Sequence, residues 1–251
     1  MIKVIICGAL GRMGTIIGSM VRENPNLEFV GGVDIREGEV FGKKVVSSEN
    51  LAKFIDEVNP DVMIDFTVAA ATMVNAKIAA SKGVNLVIGT TGFTTEQDAE
   101  LTEAMKNVAV VKTTNFSVGV NIFWELVREA AKKLGDYDIE VVEAHHRNKK
   151  DAPSGTAKTI LKILEDETGK HEEMYGRHGM TERGNEIGVH VIRGGDVVGD
   201  HSVQFHQNFE TIELSHRAYD RSVFARGAVK AAEWVKTAKP GLYTMKDVLH
   251  L

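Results

Sequence analysis

The stretch IKVIICGALGRMG, residues 2–14, decides the fold. Its first six residues are apolar apart from Lys3 and do not alternate, as expected of a strand covered on both faces of a parallel sheet. Gly8, Gly11 and Gly14 follow at once. From Arg12 to Glu23 the apolar residues Met13, Ile16, Ile17, Met20 and Val21 recur at helical spacing. A strand, a glycine turn and a helix in that order let a phosphate approach backbone N–H groups at a helix N-terminus with no side chain in the way. The usual glycine pattern would need Gly at position 9, where Ala9 stands, so the fingerprint is present in a shifted form using Gly8. The next strand, residues 27–34, finishes on Asp34, an acid placed to accept hydrogen bonds from an adenosine ribose. Asp34 favours NADH, while the nearby Arg36 keeps NADPH open. The same glycines would also serve a purely structural turn, and it is the βαβ setting that favours a nucleotide.

Working outward, the pattern repeats: a helix over 49–57, a strand over 61–67, a helix over 69–82, a strand over 84–89, a helix over 95–106 and a strand over 108–113. Strands separated by helical stretches of this length build right-handed βαβ units, so the fold class is α/β with an N-terminal Rossmann-like, doubly wound parallel sheet. A second glycine cluster, Gly89-Thr90-Thr91-Gly92, falls on the carboxyl edge of that sheet, where such folds bind ligands. Taken alone it serves equally well as a structural turn.

After residue 115 the pattern changes. A helix over 119–134 precedes strands that alternate in period two at 136–146, 187–194, 201–207 and 210–216, with a helix over 154–166 among them. One covered and one exposed face imply a second α+β domain on a mixed or antiparallel sheet. Residues 169–188 read as a long polar loop, and a last helix over 221–237 is expected to return to the first domain. The expected division is therefore 1–115 plus about 221–251 for dinucleotide binding, and 116–220 for substrate binding and oligomerisation.

Composition bounds the function. A chain of 251 residues with 30 Lys plus Arg against 35 Asp plus Glu carries a formal charge of -5, which offers no global attraction to nucleic acid or an anionic bilayer. No apolar run reaches the roughly 18 residues needed to span a membrane, and the N-terminal run is broken too early for a secretory signal. The single cysteine, Cys7, rules out an intrachain disulfide and fits a reducing cytoplasm.

Residues 143–156, EAHHRNKKDAPSGT, carry the chemistry. His145, His146, Arg147 and Lys149 crowd the end of a strand, just before a Ser154-Gly155-Thr156 helix start able to present N–H groups and hydroxyls to a carboxylate. His145 or Lys149 could donate a proton, since histidine titrates near neutrality and a desolvated lysine approaches it; spacing does not choose between them. Zinc on the adjacent histidines is disfavoured, because neighbours on an extended chain point to opposite faces and no further ligands complete a set. A serine hydrolase lacks its GxSxG elbow. From the residues alone two readings are open: a Rossmann dehydrogenase of a small acid, and a nucleotide sensor without turnover.

GALGRMG (8–14), GTTGF (89–93), NFSVGVN (115–121), EAHHRNKKDAPSGTA (143–157) and the run from GRHG to RGGDVVGDH (176–201) together resemble the bacterial dihydrodipicolinate reductase family of lysine and diaminopimelate biosynthesis, over nearly the whole chain. The resemblance implies reduction of 4-hydroxy-tetrahydrodipicolinate, a small cyclic dicarboxylate, by NADH and/or NADPH: water is lost, hydride arrives from the nicotinamide C4, and a side chain supplies a proton. By the same resemblance Gly8, Gly11, Arg12, Met13, Gly14 and Asp34 hold the dinucleotide, with Gly89, Thr90 and Thr91, and Asn115, Phe116 and Ser117, as further cofactor contacts. His145 and Lys149 take the place of the catalytic pair, with the proton assigned to Lys149 ahead of His145. His146, Lys149, Gly155 and Thr156 hold the substrate carboxylates, and no metal is implied. Where the family commonly has a basic residue after the ribose-reading acid, this chain has Ile35, which argues against strong NADPH selectivity. The resemblance further implies closure between the two domains and a homotetramer built through the second sheet, whose outer face would then be unusually apolar.

Overall fold

A computed structural model describes residues 1–251. The chain forms two compact units, Met1–Val118 with Arg221–Leu251, and Gly119–Asp220.

The first unit contains, in chain order, β1 (Ile2–Cys7), α1 (Arg12–Glu23), β2 (Leu27–Val33), β3 (Gly38–Val40), β4 (Lys43–Val46), α2 (Leu51–Val58), β5 (Val62–Asp65), α3 (Ala69–Ser81), β6 (Asn85–Ile88), α4 (Thr95–Ala104) and β7 (Ala109–Lys112). Its sheet runs β3-β4-β2-β1-β5-β6-β7 and gains one further edge strand late in the chain. All neighbours are parallel except β3 with β4. The order reverses at β1, whose Cys7 pairs with Val33 on one side and Asp65 on the other, so the glycine turn leaves the sheet at its topological switch point. Alternate residues of β1 explain the two layers: Val4 and Ile6 join Ile17 and Val21 of α1, while Ile5 and Cys7 join Phe54 of α2 and Ala76 of α3. The β3–β4 hairpin is absent from the sequence reading, because Glu39, Lys43 and Lys44 leave these short strands without a hydrophobic period.

The second unit contains α5 (Val118–Lys133), β8 (Asp138–His145), α6 (Gly155–Thr168), β9 (Glu173–Tyr175), β10 (Ile187–Arg193), β11 (Gly199–Gln207) and β12 (Glu210–Ala218). The order is β12-β11-β8-β10-β9, with β8 central. β10 runs parallel to β8 and β9, and β11 runs antiparallel to β8 and β12, so the sheet is mixed. β9 lies inside the stretch expected to be loop; three residues pairing on an edge leave no periodic trace. Ile139, Val141, Ile187, Val189, Val203 and Phe205 form the covered face beneath α5 and α6. Phe205 is fully buried, and its truncation to Ala would cost about 3–5 kcal/mol. The other face is not the apolar surface expected: Val142, Ala144 and Ile192 share it with Ser202, Gln204, Glu213 and Ser215, whose hydrogen-bonding and charged groups make it mixed.

The chain then returns to the first unit through α7 (Ser222–Val235), β13 (Gly241–Tyr243) and α8 (Met245–Leu249). β13 adds in parallel to β7, and Ala225, Ala228 and Ala232 of α7 pack in the same core layer as α1.

Candidate nucleotide-binding and acid–base sites

In the first unit the glycine turn is set by contacts only glycine allows. Gly8 has φ +79°, and a Cβ on Gly14 would lie 2.0 Å from the Gly8 carbonyl oxygen, so α1 starts directly against the turn. Gly11 is the N-cap of α1; no side chain caps it and no acid lies in the first turn, which leaves the helix N-terminus suited to an anion. Arg12 is exposed and Met13 half-buried at this point. Asp34 stands one residue beyond β2, half-buried, accepting from Leu10 N at 3.0 Å and from Ile35 N at 2.8 Å. The sequence placed it as a reader of ribose; the structure adds that it braces the turn. These features fit a dinucleotide: a cradle that a Cβ would fill, an uncapped helix start and an acid beside it.

The other cofactor candidates divide. Gly89 is required because a Cβ there would lie 2.4 Å from the Phe66 ring. Thr90 is buried, and its hydroxyl meets Asp65 Oδ1 at 3.2 Å and Thr72 Oγ1 at 2.9 Å while accepting from Thr67 N at 3.0 Å. That side chain shapes the loop from below and leaves only backbone to a ligand, whereas Thr91 is exposed. Asp65 is itself fully buried with Oδ2 unpartnered; burial pushes its carboxyl up, against hydrogen bonds from Thr67, Thr72 and Thr90. Burial, then Asp65 and Asp34, push the Cys7 thiol well up, so it is no nucleophile. Phe116 is a core residue packed on Phe66 at 5.4 Å, and Asn115 Oδ1 accepts from Ser117 N at 2.8 Å to form the turn into α5.

In the second unit the period-two alternation of β8 puts Ile139, Val141, Glu143 and His145 on the covered face. His145 ends the strand, and its Nδ1 lies 2.5 Å from Glu143 Oε2. A carboxylate only accepts, so Nδ1 carries the hydrogen. Glu143, 1% exposed, also takes a fork from Arg193 of β10, Nη1 at 2.9 Å and Nη2 at 2.8 Å, and the Ser154 N–H at 3.0 Å. Burial alone would raise its pKa, but the donors His145, Arg193 and Ser154 outweigh burial and hold it down to about 2. From β11, the buried His201 packs edge-on to His145 at 5.1 Å, and its Nε2 lies 3.1 Å from Ser154 Oγ.

Around this core stand the remaining sequence candidates. Ser154 Oγ caps α6 by accepting from Ala157 N, so its hydroxyl is in use; Gly155, exposed, opens the helix, and Thr156 is buried. His146 follows His145 half-buried, and Lys149, in a turn donating its N–H to the His146 carbonyl, pairs Nζ with Asp151 Oδ1 at 2.8 Å. The Glu143 carboxylate thus joins His145 to the start of α6, where Gly155 and Thr156 follow Ser154, and the loop carrying His146 and Lys149 runs between them. Sequence reasoning missed Glu143, Arg193 and His201. The signal for Glu143 and His201 was available, since each falls in the buried phase of its alternating strand. Glu143, His145 and His201 offer ligand atoms within 4.8 Å of one another, but Arg193 already occupies the carboxylate, and a cation there would face a guanidinium.

Comparisons with known proteins agree with one another. Residues 2–116 match the family described as dihydrodipicolinate reductase, N-terminus, and residues 119–249 match its C-terminus counterpart. A protein of Methanocorpusculum labreanum named 4-hydroxy-tetrahydrodipicolinate reductase is 82% identical over 251 residues, covering 100% of both chains. One of the same name from Methanocaldococcus jannaschii is 46% identical, covering 100% of this chain and 98% of its own. Among solved structures, the dipicolinate-bound dihydrodipicolinate reductase of Paenisporosarcina sp. TG-14 superposes with a TM-score of 0.81 at 26% identity, covering 97% of each chain.

Proposed function

This chain belongs to the dihydrodipicolinate reductase family, and from that premise we propose that it reduces 4-hydroxy-tetrahydrodipicolinate to tetrahydrodipicolinate with NADH and/or NADPH, in lysine and diaminopimelate biosynthesis. The observation that carries the reading is that Glu143 ties His145, at the end of β8, to the Ser154 N–H that opens α6, with Lys149 in the loop between them: a lysine cation and helix-start N–H groups stand along one short segment, as a small dicarboxylate needs. The dipicolinate named in the Paenisporosarcina structure is such a ligand, a cyclic dicarboxylate.

The residues divide the work. Gly8, Gly11, Arg12, Met13 and Gly14 hold the pyrophosphate end of the dinucleotide, Asp34 the ribose, and Gly89, Thr90, Thr91, Asn115, Phe116 and Ser117 its further contacts, Thr90 and Phe116 through backbone. When bound, the reduced nicotinamide supplies the hydride. His146, Lys149, Gly155 and Thr156 bind the substrate carboxylates, by a charge-assisted hydrogen bond at Lys149, by the His146 ring and by N–H groups at the helix start. Lys149 Nζ, half-buried and paired with Asp151 in the resting protein, delivers the proton that balances the hydride, with His145 as the second acid–base group. Water leaves from the hydroxyl-bearing carbon before reduction. Asp34 makes NADH at least as good a donor as NADPH, and Ile35 supplies no phosphate-binding charge beside it.

The chain works as a homotetramer through the second sheet, a reading supported by family resemblance alone, since the outer face of that sheet is mixed; sedimentation giving a monomer at working concentration would remove this. The cytoplasm is its compartment, supported by the buried Cys7 and by the absence of any helix long and apolar enough to cross a membrane. The deciding experiment generates the unstable substrate in place by a coupled assay and follows NADH oxidation. Turnover on a panel of other small acids but not on this one would overturn the assignment.

A further inference from the structure

Glu143 is fully committed. Oε1 accepts from Ser154 N and Arg193 Nη2, and Oε2 accepts from Arg193 Nη1 and His145 Nδ1. Four donors fill the four lone-pair directions of an ionised carboxylate, so Glu143 has no capacity left to exchange a proton with substrate. What it can do is hold. The Arg193 fork fixes the plane of the carboxylate, and Arg193 Nη2 also donates to the Asp151 carbonyl at 2.7 Å, next to the partner of Lys149. The Ser154 N–H ties the same oxygen to the start of α6. On the other side of the ring, Gly199 leaves room: a Cβ there would lie 3.1 Å from His145 Nε2.

We propose that Glu143, locked by Arg193 and the Ser154 N–H, is the positioning residue of His145, fixing its tautomer and ring orientation so that Nε2 is the atom offered for proton exchange. This rests on the reading of His145 as a catalytic residue. Because β8, β10 and the start of α6 all converge on one carboxylate, the orientation of His145 is set by three elements together.

Three measurements test it. In the wild-type protein labelled with 15N-histidine, with His145→Gln to assign the signal, neutral His145 is expected to carry its hydrogen on Nδ1; the Nε2–H tautomer would overturn the proposal without any Glu143 variant having to fold. In Glu143→Gln, kcat is expected to fall roughly 100-fold, the low end of what a positioned acid or base contributes, with substrate KM and NADH affinity within about threefold. In the His145→Gln background, Glu143→Gln should add nothing, since a residue acting only through another has no effect once that residue is gone. Multiplying losses, or a Glu143→Gln protein with wild-type kcat beside an impaired His145→Gln, would overturn Glu143 alone. Near-normal turnover in His145→Gln would instead remove the reading of His145 on which it rests.

Discussion

Acid should weaken the second unit well above the pH at which carboxylates protonate, and His201 should be the reason. The side chain is 4% exposed, lies edge-on to His145 and has no partner at Nδ1. Burial, and after it the charge of His145, hold its pKa down to about 3, with Glu143 pulling weakly the other way. In the unfolded chain the imidazole binds a proton near pH 6.5; the folded protein refuses it until about pH 3. Stability is therefore complete above 6.5 and lost as pH falls below it, by about 1.4 kcal/mol per unit. Relative to pH 8, the loss at pH 5 is ~2 kcal/mol, or roughly 4–8 °C in Tm for a chain of this size. Glu143 adds nothing in this window, because its linkage runs from about 4.5 down to about 2. His216, also lowered by burial, acts in the same direction but persists in a His201 variant. The assay is urea unfolding at pH 8 and pH 5 followed by Trp124, which lies in the core of the second unit, in a Trp234→Phe background that silences the first. Whatever its stability at pH 8, His201→Gln should show a pH 8-to-5 loss smaller than the parent's by ~2 kcal/mol. Parallel losses, within about 0.5 kcal/mol, would refute the reasoning.

Lys149→Ala should lower kcat by roughly 100-fold or more while NADH binding survives, if the lysine acts on substrate as proposed rather than on the dinucleotide; single-turnover kinetics and NADH titration check both halves. Gly14→Ala should destabilise the first unit by about 2 kcal/mol or more and abolish NADH binding, since its Cβ would meet the Gly8 carbonyl at 2.0 Å; urea midpoints and NADH fluorescence read the two effects. With wild-type protein, kcat/KM for NADH should equal or exceed that for NADPH, and a preference for NADPH of about 100-fold, some 2.7 kcal/mol, would show that Asp34 does not decide the choice.

Much of this was legible in the chain because its periodicities are clean. The run before Gly8, apolar apart from Lys3 and without alternation, pointed to a strand covered on both faces, and the glycines after it to the tight strand-to-helix turn that the structure shows. The alternation in β8 and β11 likewise announced a sheet with one covered face. What escaped depended on partners far away in sequence. Glu143 and His201 sit in buried phase, but their meaning needs Arg193, fifty residues after Glu143, and a strand pairing that places His201 opposite Glu143. Thr90 reads as a ligand contact until Asp65 and Thr72 are seen to occupy its hydroxyl. Strands as short as β3 and β9 carry too few residues for any period to show.

The position of Asp34 bears on how cofactor choice in such a chain can change. Its two oxygens already accept from Leu10 N and Ile35 N, so the group proposed to read the ribose is also a structural member of the glycine turn proposed to receive the pyrophosphate. Replacing it to admit a 2′-phosphate would remove repulsion and, in the same stroke, leave the Leu10 amide without its acceptor. Redesign toward NADPH is thus a two-position problem: a new acceptor for that amide must arrive together with the new cation, and a single substitution at Asp34 should yield a protein with poorer use of both nucleotides before it yields one with altered preference.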